Sequence, residues 1–273
     1  MNLPIVFCKP SRWLLALMLA LGLGACSQHY PRLAEMELAR AGNLQAAAPE
    51  ARAASTLGTQ WGEARASHTR TVYAQRLSPD RPQALAQLRY SDEVSIRRAL
   101  GAHADRQLNV LLADGNVEWS VQDGQGQPLP IYRQGAEYLV AGRHGERYEL
   151  VYVNRSRVGY EVVATVDGLD VLSGQGGSIS REGYWLKPGT TLRIDGFRKS
   201  QSEVASFRFA GKQRAYAANT PEGDARNVGV IGSALFEVRV TDPEQAQASP
   251  AGKTPQAFPA DAGSYAKPPQ YRR

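Results

Sequence analysis

Four histidines, His29, His68, His103 and His144, are scattered with no i,i+4 pair and no His-x-His. A metal site built on imidazole needs ligands at matching spacing, so these side chains read as surface histidines. Serine chemistry is no better supported. Acyl transfer needs a nucleophile, a base and a group that orients the base, and the chain has no Gly-x-Ser-x-Gly elbow. Gly174-Gln175-Gly176-Gly177-Ser178 has the composition of a phosphate cradle. Such a cradle should open a helix, and Ile179-Ser180-Arg181-Glu182-Gly183 instead reads as more loop and strand. Carboxylates are plentiful, 26 in all, so a glycosidase-type pair could be drawn almost anywhere and none is selected. Asp123, Asp167, Asp170 and Asp195 each stand beside glycine or in a glycine-rich turn, where Asp commonly supports the bend itself. Asp167-Gly168-Leu169-Asp170 begins like a calcium loop but lacks the remaining ligand series. Trp61, Trp119 and Trp185, with Tyr184, offer rings for a sugar platform, although aromatics on alternating strands more often form a core. The polar residues Arg198, Lys199, Ser200 and Glu203 fall between expected strands. That loop, with Asp167, Asp170 and Tyr184, is where a binding surface is expected. No metal and no cofactor is expected.

The elements that must position these residues are mostly strands. From Leu57 to about Val240, short apolar runs with period-two alternation are separated by Gly, Asp, Asn and Pro clusters. Tyr148, Leu150 and Tyr152 alternate with Arg147, Glu149 and Val151, the pattern of a sheet with one buried face. Strands are expected at 71–74, 85–90, 117–121, 137–140, 147–153, 160–166, 191–194, 205–209 and 229–240. One short helix is expected from Asp92 to Leu100, with Val94, Ile96 and Leu100 as its apolar positions and Gly101 as its C-cap. Val-Asp-Gly-Leu-Asp-Val at 166–171 and Lys187-Pro188-Gly189 read as tight turns. Close strand spacing with hardly any helix between predicts a mainly β fold, an antiparallel β-sandwich over 57–240. Residues 57–105 are a possible strand-and-helix extension packed on it.

The flanks differ in texture. Lys9 and Arg12 precede an apolar run, Trp13 to Leu23. Eleven helical residues span roughly 17 Å, short of a ~30 Å hydrocarbon core, so 1–25 reads as a signal peptide. Leu23-Gly24-Ala25-Cys26 then resembles the lipobox of bacterial lipoproteins. That resemblance implies cleavage before Cys26, a diacylglyceryl thioether on its sulfur, and acylation of its new amino group. Cys8 would be removed and Cys26 acylated, which leaves neither a disulfide nor a Cys/His zinc site. Acyl chains contribute ~0.8 kcal/mol per buried CH₂ and would anchor the chain stably. Ser27, where an Asp would favour inner-membrane retention, points to the outer membrane, facing the periplasm. Residues 26–56 are expected to be a tether. The Pro-, Ala- and Gln-rich stretch 241–273 is expected to be a disordered tail in which Tyr265, Tyr271 and Arg272-Arg273 offer contacts.

The chain carries a formal charge of +6. Loss of Lys9 and Arg12 with the signal leaves +4, scattered, with no nucleic-acid-binding motif. A basic surface toward anionic lipid or wall polymer is the alternative to an ordinary solvated one. Within 57–240, a series of motifs is similar to a family of uncharacterised exported proteobacterial proteins. It runs from Gln60-Trp61-Gly62-Glu63 through Val166-Asp167-Gly168-Leu169-Asp170, Gly183-Tyr184-Trp185 and Ile194-Asp195-Gly196-Phe197-Arg198-Lys199 to Arg226-Asn227-Val228-Gly229. The resemblance implies no activity. The expected function is a lipid-anchored, non-catalytic interaction or scaffold module for an envelope protein or peptidoglycan. The alternatives are an envelope glycan hydrolase using paired carboxylates, or a carbohydrate- or small-ligand-binding module.

Overall fold

A computed structural model describes residues 55–101, 105–240, 256–257 and 265–271. The expected signal peptide, Cys26 with its lipid, nearly all of the tether and most of the tail lie outside these residues. In chain order the strands begin with β1 (Leu57–Ala66), β2 (Arg70–Thr71), β3 (Ala74–Arg76) and β4 (Ala84–Asp92). The helix α1 (Glu93–Leu100) follows, then β5 (Arg106–Gln107), β6 (Val110–Leu112), β7 (Val117–Asp123) and β8 (Ile131–Gln134). Next come β9 (Glu137–Gly142), β10 (Arg147–Asn154), β11 (Gly159–Val166), β12 (Leu169–Asp170) and β13 (Tyr184–Leu186). β14 (Thr191–Ile194), β15 (Gly196–Arg198), β16 (Glu203–Gly211), β17 (Val230–Val240) and β18 (Gln256–Ala257) complete the set.

They form two sheets. The first runs β1-β16-β10-β7-β6, with β14 on β10 and β15 on β16. The second runs β2-β18-β13-β11-β17-β4-β9-β8-β5, with β12 on β11 and β3 on β17. The fold is the expected β-sandwich with one helix, and its core is the shared interior. Tyr148, Leu150 and Tyr152 of β10 point inward, in register with Asp123, Val121 and Trp119 of β7. Trp119 and Tyr152 stack with centroids 5.7 Å apart, and Tyr148 stacks on Phe209 at 4.3 Å. Leu88, Tyr90, Val162, Val166, Ile231 and Leu235 answer from the second sheet. Each such side chain removed from water contributes roughly 1.5–3 kcal/mol. The aromatics expected in the core are there: Trp119 is fully buried, and Trp61 packs on Phe197 and Tyr216.

Three details go beyond the expectation. The second sheet is mixed, because β4 and β9 run parallel from Arg89↔Leu139 to Asp92↔Gly142; α1 and four further strands intervene, giving the chain the length a parallel return needs. The stretch 57–105 is woven into both sheets rather than packed on them. β1 pairs with β16 along its length, and β4 lies between β17 and β9. In α1, Asp92 caps the start by accepting from Ser95 N at 2.8 Å, and Gly101 N returns to Arg97 O. The helix meets the sheet through Ile96 and, one turn later, the partly buried Leu100. Ile96 packs on Tyr132 and Ala141, while Val94 is exposed.

β11 is buried on both faces, unlike a half-solvated strand. Its outer face is covered by residues 176–183, with Ile179 on Val163, Ala234 and Phe236. Arg76 holds that cover down. It pairs with buried Glu161 at 2.6 and 3.1 Å and donates to Ile179 O at 2.7 Å. Its guanidinium lies 3.8 Å from the Phe236 ring centroid, and Gly183 N donates to Glu161 at 2.7 Å.

Candidate functional site

Val166 and Leu169 pair across a two-residue loop in which Asp167 (φ 53°) and Gly168 (φ 79°) both lie in the left-handed region. This is the type I′ hairpin turn that Asp-Gly favours, because its twist matches the flanking strands. The turn points its carboxylate inward. Asp167 Oδ1 accepts from Tyr90 Oη at 2.6 Å and Gly229 N at 2.8 Å, and Oδ2 accepts from Thr59 N at 2.8 Å. Thr59 Oγ1 lies 2.7 Å from Tyr90 Oη and 2.5 Å from Tyr148 Oη. With Tyr90 donating to the carboxylate, the run is ordered Tyr148 to Thr59 to Tyr90 to Asp167. It ties both sheets together without water access. Burial pushes the Asp167 carboxyl up to about 6, against the pull of Tyr90 and of the Thr59 and Gly229 N–H groups. The same burial pushes the Tyr90 and Tyr148 phenols well above their ordinary range.

Asp170 closes the hairpin differently. Its Oδ1 accepts from Ser173 N and Oγ, each at 2.7 Å, and its buried Oδ2 has no partner. Burial raises this carboxyl to about 6 as well, with Ser173 opposing. Beside it, Arg198 N donates to Val171 O at 2.8 Å, fixing β15 against the end of β12. The Arg198 side chain is 1 % exposed. Neutral groups hold it: Nε donates to Tyr184 Oη at 3.2 Å, one terminal nitrogen to Ser67 O, and the other to Ser67 Oγ at 3.1 Å. Ser67 Oγ in turn donates to Asp195 at 3.3 Å. The buried Tyr184 phenol is pushed up by desolvation, with Arg198 pulling it back.

The five residues expected to form a binding surface therefore do something else. Asp170, Tyr184 and Arg198 gather in one interior cluster, and Asp167 heads a second. These four are buried: the β11–β12 hairpin carries the two aspartates toward the other sheet and not toward solvent, and Tyr184 of β13 and Arg198 of β15 pack beside it. Lys199 alone keeps a share of solvent, on the β15–β16 turn, paired with Glu203 at 3.1 Å. A carboxyl near 6 suits general acid–base work, but both aspartates are enclosed and engaged by interior donors. The calcium-loop reading fails for Asp167 on the same ground, since both its oxygens accept from N–H or O–H. Among the described residues no group of three or more His, Cys, Asp or Glu is placed to hold a metal ion. His68 and His144 are exposed, as expected; His29 and His103 lie outside the described residues.

The surface above Arg198 carries the feature that sequence reasoning missed. Residues 265–271 lie on the domain and depart from the expected disordered tail. Ala266 N donates to Arg198 O at 2.9 Å, Tyr216 Oη donates to Lys267 O at 2.7 Å, and Gln270 N donates to Asn219 O at 2.7 Å. Ala266 is buried within the main core, while Lys267, Pro268, Gln270 and Tyr271 are exposed. Its seat is made by Gly174 (φ 68°), where a Cβ would stand 2.8 Å from both Ala266 Cα and Cβ. Tyr216 is braced by Trp61 and Phe197, with centroids 5.0 and 4.7 Å away. Asn219 Nδ2 donates to Gln213 O and Ala215 O, fixing that turn. The Arg214 guanidinium lies 5.5 Å from the Tyr271 ring centroid. Pro268-Pro269 was the available signal, since paired prolines favour the extended conformation that grooves recognise.

Comparison with known proteins finds no matching family model, curated protein or solved structure.

Proposed function

We propose that this chain is a lipid-anchored protein of the cell envelope, attached through Cys26 to the outer membrane and facing the periplasm. Its β-sandwich acts as a non-catalytic module that binds an envelope protein, with peptidoglycan as the alternative partner. The lipobox and Ser27 support the anchor. The observation that carries the module reading is the seating of residues 265–271, a segment without regular secondary structure held on the domain surface through its main-chain hydrogen bonds. The buried aspartates support it too, because Asp167 is engaged in joining the sheets and Asp170 in bracing a local turn.

In-cell cross-linking of the tagged full chain, followed by affinity purification and mass spectrometry, tests the proposal against a Cys26→Ala control. One dominant envelope partner, lost in the control together with membrane association, is the expected result. A control that stays in the membrane fraction sinks the anchor. The absence of both an enriched protein and co-purifying wall fragments sinks the module, and turnover of an envelope glycan abolished by a single carboxylate change would replace it with a hydrolase.

A further inference from the structure

We propose that the groove formed by Gly174, β15 and the turn Tyr216–Asn219 is a recognition site for an extended, proline-containing polypeptide of an envelope partner. Residues 265–271 occupy it in cis as a displaceable strap. The inference rests on the module reading above and deepens it by naming the surface and the partner's chemistry.

Every hydrogen bond between the groove and residues 265–271 named above uses the strap's main chain: Ala266 N, Lys267 O and Gln270 N. A groove that reads main chain accepts other sequences of the same shape. Shape is constrained at two places. Gly174 leaves the room that Ala266 fills, because a Cβ on Gly174 would overlap it, and the burial of the Ala266 methyl favours a small side chain there. Between the bonds at Lys267 and Gln270 stand Pro268 and Pro269. Neither has an N–H to leave unpaired, and both preset φ, so the bound shape costs less ordering than in another sequence. Charge and ring contacts add a preference. Glu222 is among the groups that feel the charge of Lys267, and Arg214 faces the Tyr271 ring. The ligand class is therefore a small residue, a basic residue, two prolines and, two positions on, an aromatic.

The strap is displaceable because little of it is buried. Ala266 is the one fully buried side chain among its seven residues, and three net hydrogen bonds are set against the ordering of all seven. Segments held so lightly open far below the threshold for global unfolding.

The test uses the detergent-solubilised full chain and a fluorescein-labelled peptide with the sequence of residues 264–273, read by anisotropy. Ala266→Arg cannot seat against Gly174 and should evict the strap in cis. The expected result is binding to the Ala266→Arg chain at least about tenfold tighter than to the wild type, the ratio set by a strap that fills the groove about nine-tenths of the time. Adding Tyr216→Phe removes the donor to Lys267 O and should weaken binding severalfold. A folded Ala266→Arg chain that ignores the peptide overturns the proposal, as does equal binding by the two chains. A wild-type dimer in sedimentation, with no peptide binding, assigns the groove to a second copy and also overturns it. If Ala266→Arg does not fold, hydrogen exchange on the wild type decides. The Ala266 and Gln270 amides should exchange at least about a hundredfold faster than those of β17, and exchange in step with β17 would make the strap a fixed part of the core. A cross-linked partner found alongside failed peptide binding removes the groove and leaves the module.

Discussion

Asp167 and Asp170 stand three residues apart on one hairpin, are equally buried, and have carboxyls raised to about 6 by the same desolvation. Their partners differ. Asp167 accepts from Thr59, Tyr90 and Gly229, which arrive from 108, 77 and 62 residues away. Asp170 accepts from Ser173 alone and leaves one buried oxygen without a partner. Burial sets the protonation of both, whereas the number and reach of the donors set what each contributes to the fold. One is a tie between sheets, and the other is a local turn that carries an excess of buried charge.

Asp167→Ala should break the comparison most sharply. It strands two main-chain N–H groups and the Tyr90 hydroxyl in the interior, each at about 1–3 kcal/mol. It also places Ala at a left-handed φ. A loss of about 4 kcal/mol or more in urea unfolding is expected, and a loss below 1 kcal/mol would show that the tie is redundant. The pH dependence comes next. Both folded-state carboxyls lie above the unfolded value, so the stability they contribute is fully present below about pH 4 and is lost as pH rises through 6. The upper limit is about 3 kcal/mol for each aspartate. Glu63 and Asp92 act oppositely. Burial pushes Glu63 up, but Arg208 and Ser206 bring it to about 2. Asp92, accepting from Thr56 and Ser95, is also near 2. Their contributions are lost only as pH falls below about 4, which leaves pH 4.5 to 7 to the two buried aspartates. Urea midpoints that rise across that window would contradict the assignment.

Tyr90→Phe should cost about 1–2 kcal/mol, because it removes one donor to Asp167 and one partner of Thr59. The smallest effect sharpens the contrast best. Asp170→Asn keeps an oxygen for Ser173 and removes the unpartnered charge, so at pH 7.5 it should change stability by less than about 1 kcal/mol and in the favourable direction. It should also remove about half of the pH slope, while Asp167→Asn should be clearly destabilising because an amide cannot accept on both sides. Equal losses from the two Asn variants would show that burial, not donor reach, governs both sites.

Much of the strand framework was legible because it rests on local chemistry. The alternation of Tyr148, Leu150 and Tyr152, the capped helix ending at Gly101, and the left-handed demands of Asp167-Gly168 are each satisfied within a few residues. The parallel pairing of β4 with β9 was not legible, since the apolar pattern of β4 is compatible with either neighbour direction. The candidate site was legible as a set of special residues and misread as a surface. A polar side chain next to glycine looks the same in sequence whether the turn faces solvent or the opposite sheet.

The sequence by itself determined where strands, turns and the short helix fall, through periodicity and backbone constraint, and it carries the signature expected of a lipid anchor. Tertiary structure alone decided that Asp167 meets Thr59, Tyr90 and Gly229, that Arg198 is buried among neutral acceptors, and that Ala266 fills the space above Gly174. Those contacts join residues far apart in the chain, and their energies depend on desolvation, which exists only once both sheets have closed over them.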